Sequence, residues 1–195
     1  MQMKTKIITH LALAIAVGLL ATGCATTLQH GALDTKPVPG KGALGVAARA
    51  QNMKDRIGWG TFTVFAIPVA PVTVTGEADT ALMDQIKDAV TQAGYQVKIV
   101  DNPSSAGNMP VLTCNVEKFQ FKNYTWLFPL VFNWGTIQLD VAVTAPGGNV
   151  LWSKTYSAKG NGMYDFNTPV NNALTAVLNQ MSEDLSKADI KSTTN

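Results

Sequence analysis

The sequence predicts an α+β domain, a mainly antiparallel sheet with two amphipathic helices packed on one face. Three observations predict it. Residues 137–145 and 150–160 alternate apolar with polar around Pro146-Gly147-Gly148-Asn149, the pattern of a β-hairpin. Residues 80–93 and 168–185 instead carry their apolar side chains at the helical period of 3.6. Each helix therefore has one stripe to bury, and a sheet with one apolar face is the partner that buries it.

Taken in order, residues 61–67 are rich in β-formers and stop at Pro68, which reads as a mostly buried strand. A helix follows to Ala93, with Asp79 or Thr80 as its cap and Leu82, Met83, Ile86, Ala89, Val90 and Ala93 on one stripe. Gly94 is a natural C′ residue for it. Residues 95–100 give a short strand, and the Asn, Pro, Ser and Gly of 101–110 give a loop. In the strand 111–121 the apolar phase switches near Lys118, which predicts a bulge or burial on both faces.

Centring the hairpin turn on its two glycines pairs Ala145 with Val150, Val143 with Trp152, Leu139 with Tyr156 and Ile137 with Ala158. Asp140 then meets Thr155, and Thr136 meets Lys159, on the other face. A slip of one residue would mix the faces, so the pattern fixes the register. Thr168-Pro169 opens the last helix with Thr168 as N-cap and proline at N1. Val170, Ala173, Leu174, Val177, Leu178, Met181 and Leu185 keep its period. The predicted order is β-α-β-β-β-β-α in a single domain spanning residues 58–195.

Ahead of that domain lie two segments of different character. Lys4 and Lys6 precede an uncharged apolar run, 7–21, which ends in Ala21-Thr22-Gly23-Cys24. A basic n-region, an apolar h-region and small residues at the cut site make residues 1–23 a secretory signal peptide. About 15 apolar residues fall short of the ~20 that a spanning helix needs. Residues 24–57 hold Lys36-Pro37-Val38-Pro39-Gly40 and no sustained period, so they read as a tether, with a short Ala-rich helix available at 43–53. Gly40-x-Gly42-x-x-Gly45 matches a dinucleotide fingerprint only by letter, because Pro37 and Pro39 stand where its strand would be.

The cysteine after Ala-Thr-Gly resembles the lipobox of bacterial lipoproteins, with Ala21 where leucine is commoner. The resemblance implies that the Cys24 thiol is acylated, that the leader is removed before it, and that Ala25, not being aspartate, sends the protein to the outer membrane. Lys4 and Lys6 leave with the leader, so the 15 Lys and Arg of the whole chain become 13 against 13 Asp and Glu. A neutral domain without a Lys/Arg cluster carries no electrostatic footprint for nucleic acid. Of the two cysteines, acylation leaves Cys114 alone, and an intramolecular disulfide is excluded. Cys114 alternates with Leu112 and Val116, which places it on an apolar strand face as an inert thiol; an intermolecular disulfide is the other reading.

No catalytic residue, metal site or cofactor is expected. The mature chain keeps one histidine, His30, and it lies in the tether. A Ser-His-Asp or Cys-His device needs a positioned imidazole, and zinc needs several His or Cys ligands. Asp79, Asp84, Asp88, Glu117 and Asp140 are scattered over faces expected to be exposed.

One segment stands out. Phe119, Phe121, Tyr124, Trp126, Phe128, Phe132 and Trp134 are seven of the fifteen aromatic residues, and no charge occurs between Lys122 and Asp140. Pro129 argues for a turn between two strands rather than one strand. Tyr124, Trp126, Leu127, Phe128, Phe132 and Trp134 form a candidate contact surface for a membrane interface or a protein partner. The alternative is that these aromatics complete the core.

The lipobox, the strand–helix–Ala93-Gly94-Tyr95–strand unit, the later meander and the C-terminal amphipathic helix resemble small outer-membrane lipoproteins of the YajG and CsgG-like type over residues 59–187. The resemblance implies a non-enzymatic module, lipid-anchored on the periplasmic face of the outer membrane, that serves envelope assembly, transport or secretion. Two functions are therefore expected. One is an adaptor that binds an envelope protein, marked by an exposed apolar patch at 124–134. The other is a lipid-binding or transport-auxiliary protein, marked by an enclosed apolar cavity lined by Val141, Trp152 and Val177.

Overall fold

The computed structural model describes residues 24–38, 40–62, 67–101, 103–127 and 130–190, without the side chains at 62, 67–69, 125–127 and 130. Eight strands and two helices follow one another: β1 Cys24–Thr26, β2 Ala43–Ala47, β3 Arg56–Phe62, β4 Ile67–Val74, α1 Ala78–Gln92, β5 Gln96–Val100, β6 Val111–Leu127, β7 Leu130–Thr144, β8 Val150–Met163 and α2 Asn167–Lys187. From β4 onward this is the predicted β-α-β-β-β-β-α. The α+β class and the two helices on a mainly antiparallel sheet hold as well.

The sheet is organised around β6. Its one edge pairs antiparallel with β7, which pairs antiparallel with β8. Its other edge is shared by two parallel strands, β2 near Leu112 and β3 near Phe121. Beyond β2 lies β5, and beyond β3 lie β4 and then β1.

The hairpin register agrees with the sequence at Val143 and Trp152, Leu139 and Tyr156, Ile137 and Ala158, Asp140 and Thr155, and Thr136 and Lys159. Only beside the turn does it differ, where Thr144 rather than Ala145 meets Val150 across a register shift. The phase switch in β6 is a bulge: the pairing skips between Val116 and Lys118. One extra residue moves the apolar set from Leu112, Cys114 and Val116 to Phe119 and Phe121 while keeping all five toward the helices.

Both helical stripes are buried to the residue. Leu82, Ile86, Ala89 and Val90 of α1 and Val170, Ala173, Leu174, Val177, Leu178, Met181 and Leu185 of α2 meet Leu112, Cys114, Ile137, Leu139, Val141, Val143 and Tyr156 of the sheet in one core. Gly94 ends α1 with φ +102°, as its C′ position requires. The caps differ from expectation. Asp79 and Thr80 lie inside the first turn of α1, and Arg49 pairs with Glu77 and Asp79 across that turn. α2 starts two residues early, at Asn167, and Asp165 takes the capping role expected of Thr168. Its carboxylate accepts from the Thr168 hydroxyl and from the Asn167 and Thr168 amides at 2.9 and 3.0 Å. The Thr168 hydroxyl first, and then the Asn167 amide, hold the Asp165 carboxyl below its ordinary range.

Two expectations fail. The strand placed at 61–67 spans two strands, β3 and β4, which pair antiparallel from Arg56–Thr73 to Phe62–Ile67. Pro68 and Pro71 had masked β4, and a strand beside a short edge partner tolerates them.

The larger correction is the tether. Residues 24–57 belong to the domain. β2, read as an Ala-rich helix, is a strand with buried Leu44, Val46 and Ala47, because β5 and β6 offer it two edges and tertiary pairing overrides propensity. Residues 27–35 lie extended along α2. The amides of Thr27, Gln29, Gly31 and Asp34 donate to Asn167 Oδ1, Asn171 Oδ1, Thr175 Oγ1 and Asn179 Oδ1 at 3.0, 3.1, 2.8 and 2.7 Å. Two residues of extended chain advance about 6.7 Å, and four residues of helix about 6.0 Å. Every second amide from Thr27 to Gly31 therefore meets every fourth side chain of the helix, and the last step, to Asp34 and Asn179, takes one residue more. Leu28 points inward and is buried.

Candidate functional site

The bulge in β6 also sets which side chains face away from the helices. Past it, Lys118, Gln120, Lys122 and Tyr124 alternate with the core residues Phe119 and Phe121. Across the ladder Lys122 opposes Trp134, and Tyr124 opposes Phe132. Trp134 opposes Asn161, and Phe132 opposes Met163. On the other side Trp59 of β3 lies beside Lys122.

The result is an aromatic patch on the open face of the sheet, at the end where β3 passes to β4 and β6 to β7. Tyr124, Phe132 and Trp134 are 39, 38 and 40 % exposed, so they do not complete the core. Trp59 and Met163 are exposed beside them. The Phe132 and Trp134 rings stack at 6.5 Å between centroids. Among the described side chains of the aromatic run, Phe121 alone is fully buried, against Phe166 at 5.4 Å, and Phe119 packs on the core edge. The side chains of Trp126 and Leu127, and Phe128 and Pro129 entirely, lie outside the described residues.

Sequence reasoning missed Trp59, Met163 and Arg56. A signal for the first existed, since residues 57–76 carry no charge, like 123–139. The two hairpins are joined at their apolar ends: Asn123 Oδ1 accepts from the Thr61 amide at 2.7 Å, and Asn123 Nδ2 donates to the Thr61 carbonyl at 3.3 Å.

Just behind the aromatic patch lies a group of cations. Arg56 sits over the Trp59 ring at 5.2 Å. Lys54, Arg56 and Lys118 line a groove of about 720 Å³ beside β6, between its bridge to Gln51 at Asn115 and its pairing with β3. Lys122 and Lys159 extend the group on the same face. Glu117 also lines the groove, bound by Asn115 Nδ2 at 2.6 Å, while Asp55 turns toward the amide of Ala78.

Cys24 opens β1 at this same end. It pairs with Val72, which pairs with Gly58, and Gly58 with Phe121, so all four lie at one level of the sheet. β1 runs parallel to β4, away from the apolar end, and its first residue therefore faces that end.

Elsewhere the chain offers little chemistry. His30 is held in the strap, with Nδ1 2.6 Å from the Gly31 carbonyl and Nε2 3.6 Å from Asp88. Among the described residues no group of His, Cys, Asp and Glu is placed to hold a metal ion. Cys114 is fully buried, and desolvation pushes its thiol up to about 12. Val141 and Val177, expected to line a ligand cavity, fill the core instead. A hollow of about 340 Å³ beside Trp152 is ringed by Lys154, Asp184, Lys187 and Asp189. No described helix is long and apolar enough to cross a membrane.

No known protein family matches the chain, and no curated protein does. Among solved structures the fold is similar to protein XCC0632 of Xanthomonas campestris, of family DUF330. The two are 19 % identical over 85 % of this chain and 93 % of that one, with a TM-score of 0.53. More distant are the PelC dodecamer of Paraburkholderia phytofirmans, at 14 % over 78 % and 92 % with a TM-score of 0.46, and lipoprotein GNA1162 of Neisseria meningitidis, at 13 % over 75 % and 99 % with a TM-score of 0.41. At these identities the first likeness speaks for the fold alone.

Proposed function

We propose that this chain is a lipid-anchored, non-catalytic protein of the bacterial envelope. In this reading residues 1–23 are removed, Cys24 is acylated, and the domain sits on the periplasmic face of the outer membrane as an adaptor or structural component in assembly, transport or secretion. The observation that carries it is that the residue directly after the predicted cut is already built into the fold: Cys24 pairs with Val72, and the described residues from 24 onward share one core.

The exposed patch at Tyr124, Phe132 and Trp134, continued in sequence by Trp126, Leu127 and Phe128, is the contact surface of this reading. A lipid-carrier function would need an apolar cavity between sheet and helices, where Val141 and Val177 are packed. The likeness to YajG and CsgG-like lipoproteins belongs to this proposal and supplies the envelope role.

Metabolic labelling with a fatty acid tests the anchor. Wild type should incorporate label and fractionate with outer membranes, and Cys24→Ser should lose both. Wild-type protein found unlabelled in a soluble periplasmic extract ends the reading. Crosslinking in intact envelopes, followed by capture through the chain, then identifies what the adaptor holds.

A further inference from the structure

From the apolar end inward, the open face of the sheet changes character in steps. Outermost among the described side chains come Tyr124, Phe132 and Met163, then Trp59 and Trp134 level with Lys122, then Arg56, Lys118, Lys54 and Lys159. Beyond them the face is polar, with Asp140 accepting from Thr155 at 2.6 Å. Aromatic, then cationic, then polar is the order of chemistries met on leaving a membrane surface: the interface that Trp and Tyr favour, then the anionic headgroups that attract Lys and Arg, then water.

We propose that this end of the sheet is a seat for an anionic lipid surface, built from Trp59, Tyr124, Phe132, Trp134 and Met163 with Arg56, Lys118, Lys122 and Lys159 behind them. Three further observations select lipid over a protein partner. The lysines and arginine stand in one belt beside the aromatics, on a mature chain whose formal charge is balanced as a whole. The Asn123–Thr61 clamp holds the two hairpins side by side, so their aromatic rows make one face. Finally, Cys24 begins the chain at the level of the cation belt and faces the same end. An acyl-glycerol on that thiol would sit at headgroup depth when the aromatics sit at the interface.

The seat is interfacial. From Phe121 to Leu127 a strand advances about 20 Å, enough to cross a leaflet if upright. The open edges of the sheet would leave unpaired backbone groups in hydrocarbon, however, and such edges are not tolerated there. The sheet therefore rests on the bilayer at a tilt, with no span.

The inference rests on the proposed function for the meaning of Cys24, but its test does not. The chain from residue 24 with Cys24→Ser retains every described element. It should bind vesicles of phosphatidylcholine with phosphatidylglycerol, with a blue shift in tryptophan emission, and bind less as salt rises. Phe132→Ser with Trp134→Ser should weaken binding about tenfold or more, equal to about 1.4 kcal/mol, and leave the unfolding midpoint in place. Arg56→Glu with Lys122→Glu should abolish the preference for phosphatidylglycerol over phosphatidylcholine alone. Absence of vesicle binding, binding indifferent to both double variants, or a patch that captures an envelope protein but no vesicle would each overturn the seat. None of these results bears on whether Cys24 is acylated, which labelling decides separately.

Discussion

Gly160 and Gly135 face each other across β7 and β8, directly beneath the first turn of α2. A Cβ at Gly160 would stand 2.1 Å from the Pro169 carbonyl oxygen, and one at Gly135 would stand 2.4 Å from it. Helix and sheet touch backbone to backbone there, and a methyl group must push them apart. Overpacking a closed contact costs about 1–3 kcal/mol and sometimes more. Gly160→Ala should fall near the top of that range in urea unfolding, whereas Gly147→Ala, in an open turn with nothing within 4 Å, should leave the midpoint unchanged. A Gly160→Ala variant as stable as wild type would show that the helix does not rest on the sheet at this point.

Cys114 makes the second residue-scale prediction. Burial first, with Asp140 adding to it, raises its thiol so far that the reactive thiolate is absent at neutral pH. In the Cys24→Ser chain, iodoacetamide should leave the native protein unmodified and label Cys114 only on unfolding. Rapid native labelling would expose the thiol and revive the intermolecular disulfide, for which a fully buried sulfur has no access.

At the scale of elements, the strap is the instructive case. The amides of Thr27, Gln29, His30, Gly31 and Asp34 and the carbonyls of Thr27 and Thr35 meet side chains, and no β-ladder serves residues 27–35. Asn171 both accepts from Gln29 and donates to the Thr27 carbonyl at 3.1 Å, and Thr175 accepts from Gly31. Gln92 Nε2 closes the far end on the Thr35 carbonyl at 2.5 Å. Asn171→Ala with Thr175→Val removes three of these bonds, each worth about 1 kcal/mol net. The strap amides of Gln29 and Gly31 should then exchange with solvent far faster, while the core strand β7 keeps its protection. Unchanged exchange at Gln29 and Gly31 would mean that Leu28 alone holds the strap.

The strap was illegible for a definite reason. Asn171, Thr175 and Asn179 read as the polar, solvated face of an amphipathic helix, which is the ordinary meaning of such residues. Polar side chains facing water and polar side chains facing a peptide backbone make the same pattern in one dimension. The hairpin β7–β8 was legible for the opposite reason. Its alternation, its two glycines and its turn proline all act within about 24 residues of chain, and they agree with one another.

For the molecule as a whole, incorporating 24–57 shortens the reach that the proposed anchor would have. A coil of some 33 residues would average about 30 Å end to end. With β1 paired to β4 from Cys24 onward, no free chain would separate an acyl group on Cys24 from the domain. In the lipid-anchored reading the domain would then stand against its membrane. Inserting a flexible Gly-Ser linker after Cys24 should leave outer-membrane fractionation intact but weaken capture of any partner lying at the bilayer surface. Undiminished capture would return the strap to the role of a spacer.

The sequence by itself determined both helical stripes, the phase switch in β6, most of the hairpin register and the α+β class. Each depends on neighbours within a few residues or on a period that a single element must keep. Only the tertiary structure decided that residues 24–57 are fold rather than tether, that 61–67 reaches from β3 into β4, and that Trp59 and Met163 join Tyr124, Phe132 and Trp134 on one face. Those outcomes turn on which strand finds which edge, and on pairings such as Cys24 with Val72 and Gly58 with Phe121 that lie 48 and 63 residues apart in the chain. Edge pairing satisfies backbone groups that are alike at every residue, so a single sequence carries no mark of the partner its strands will take.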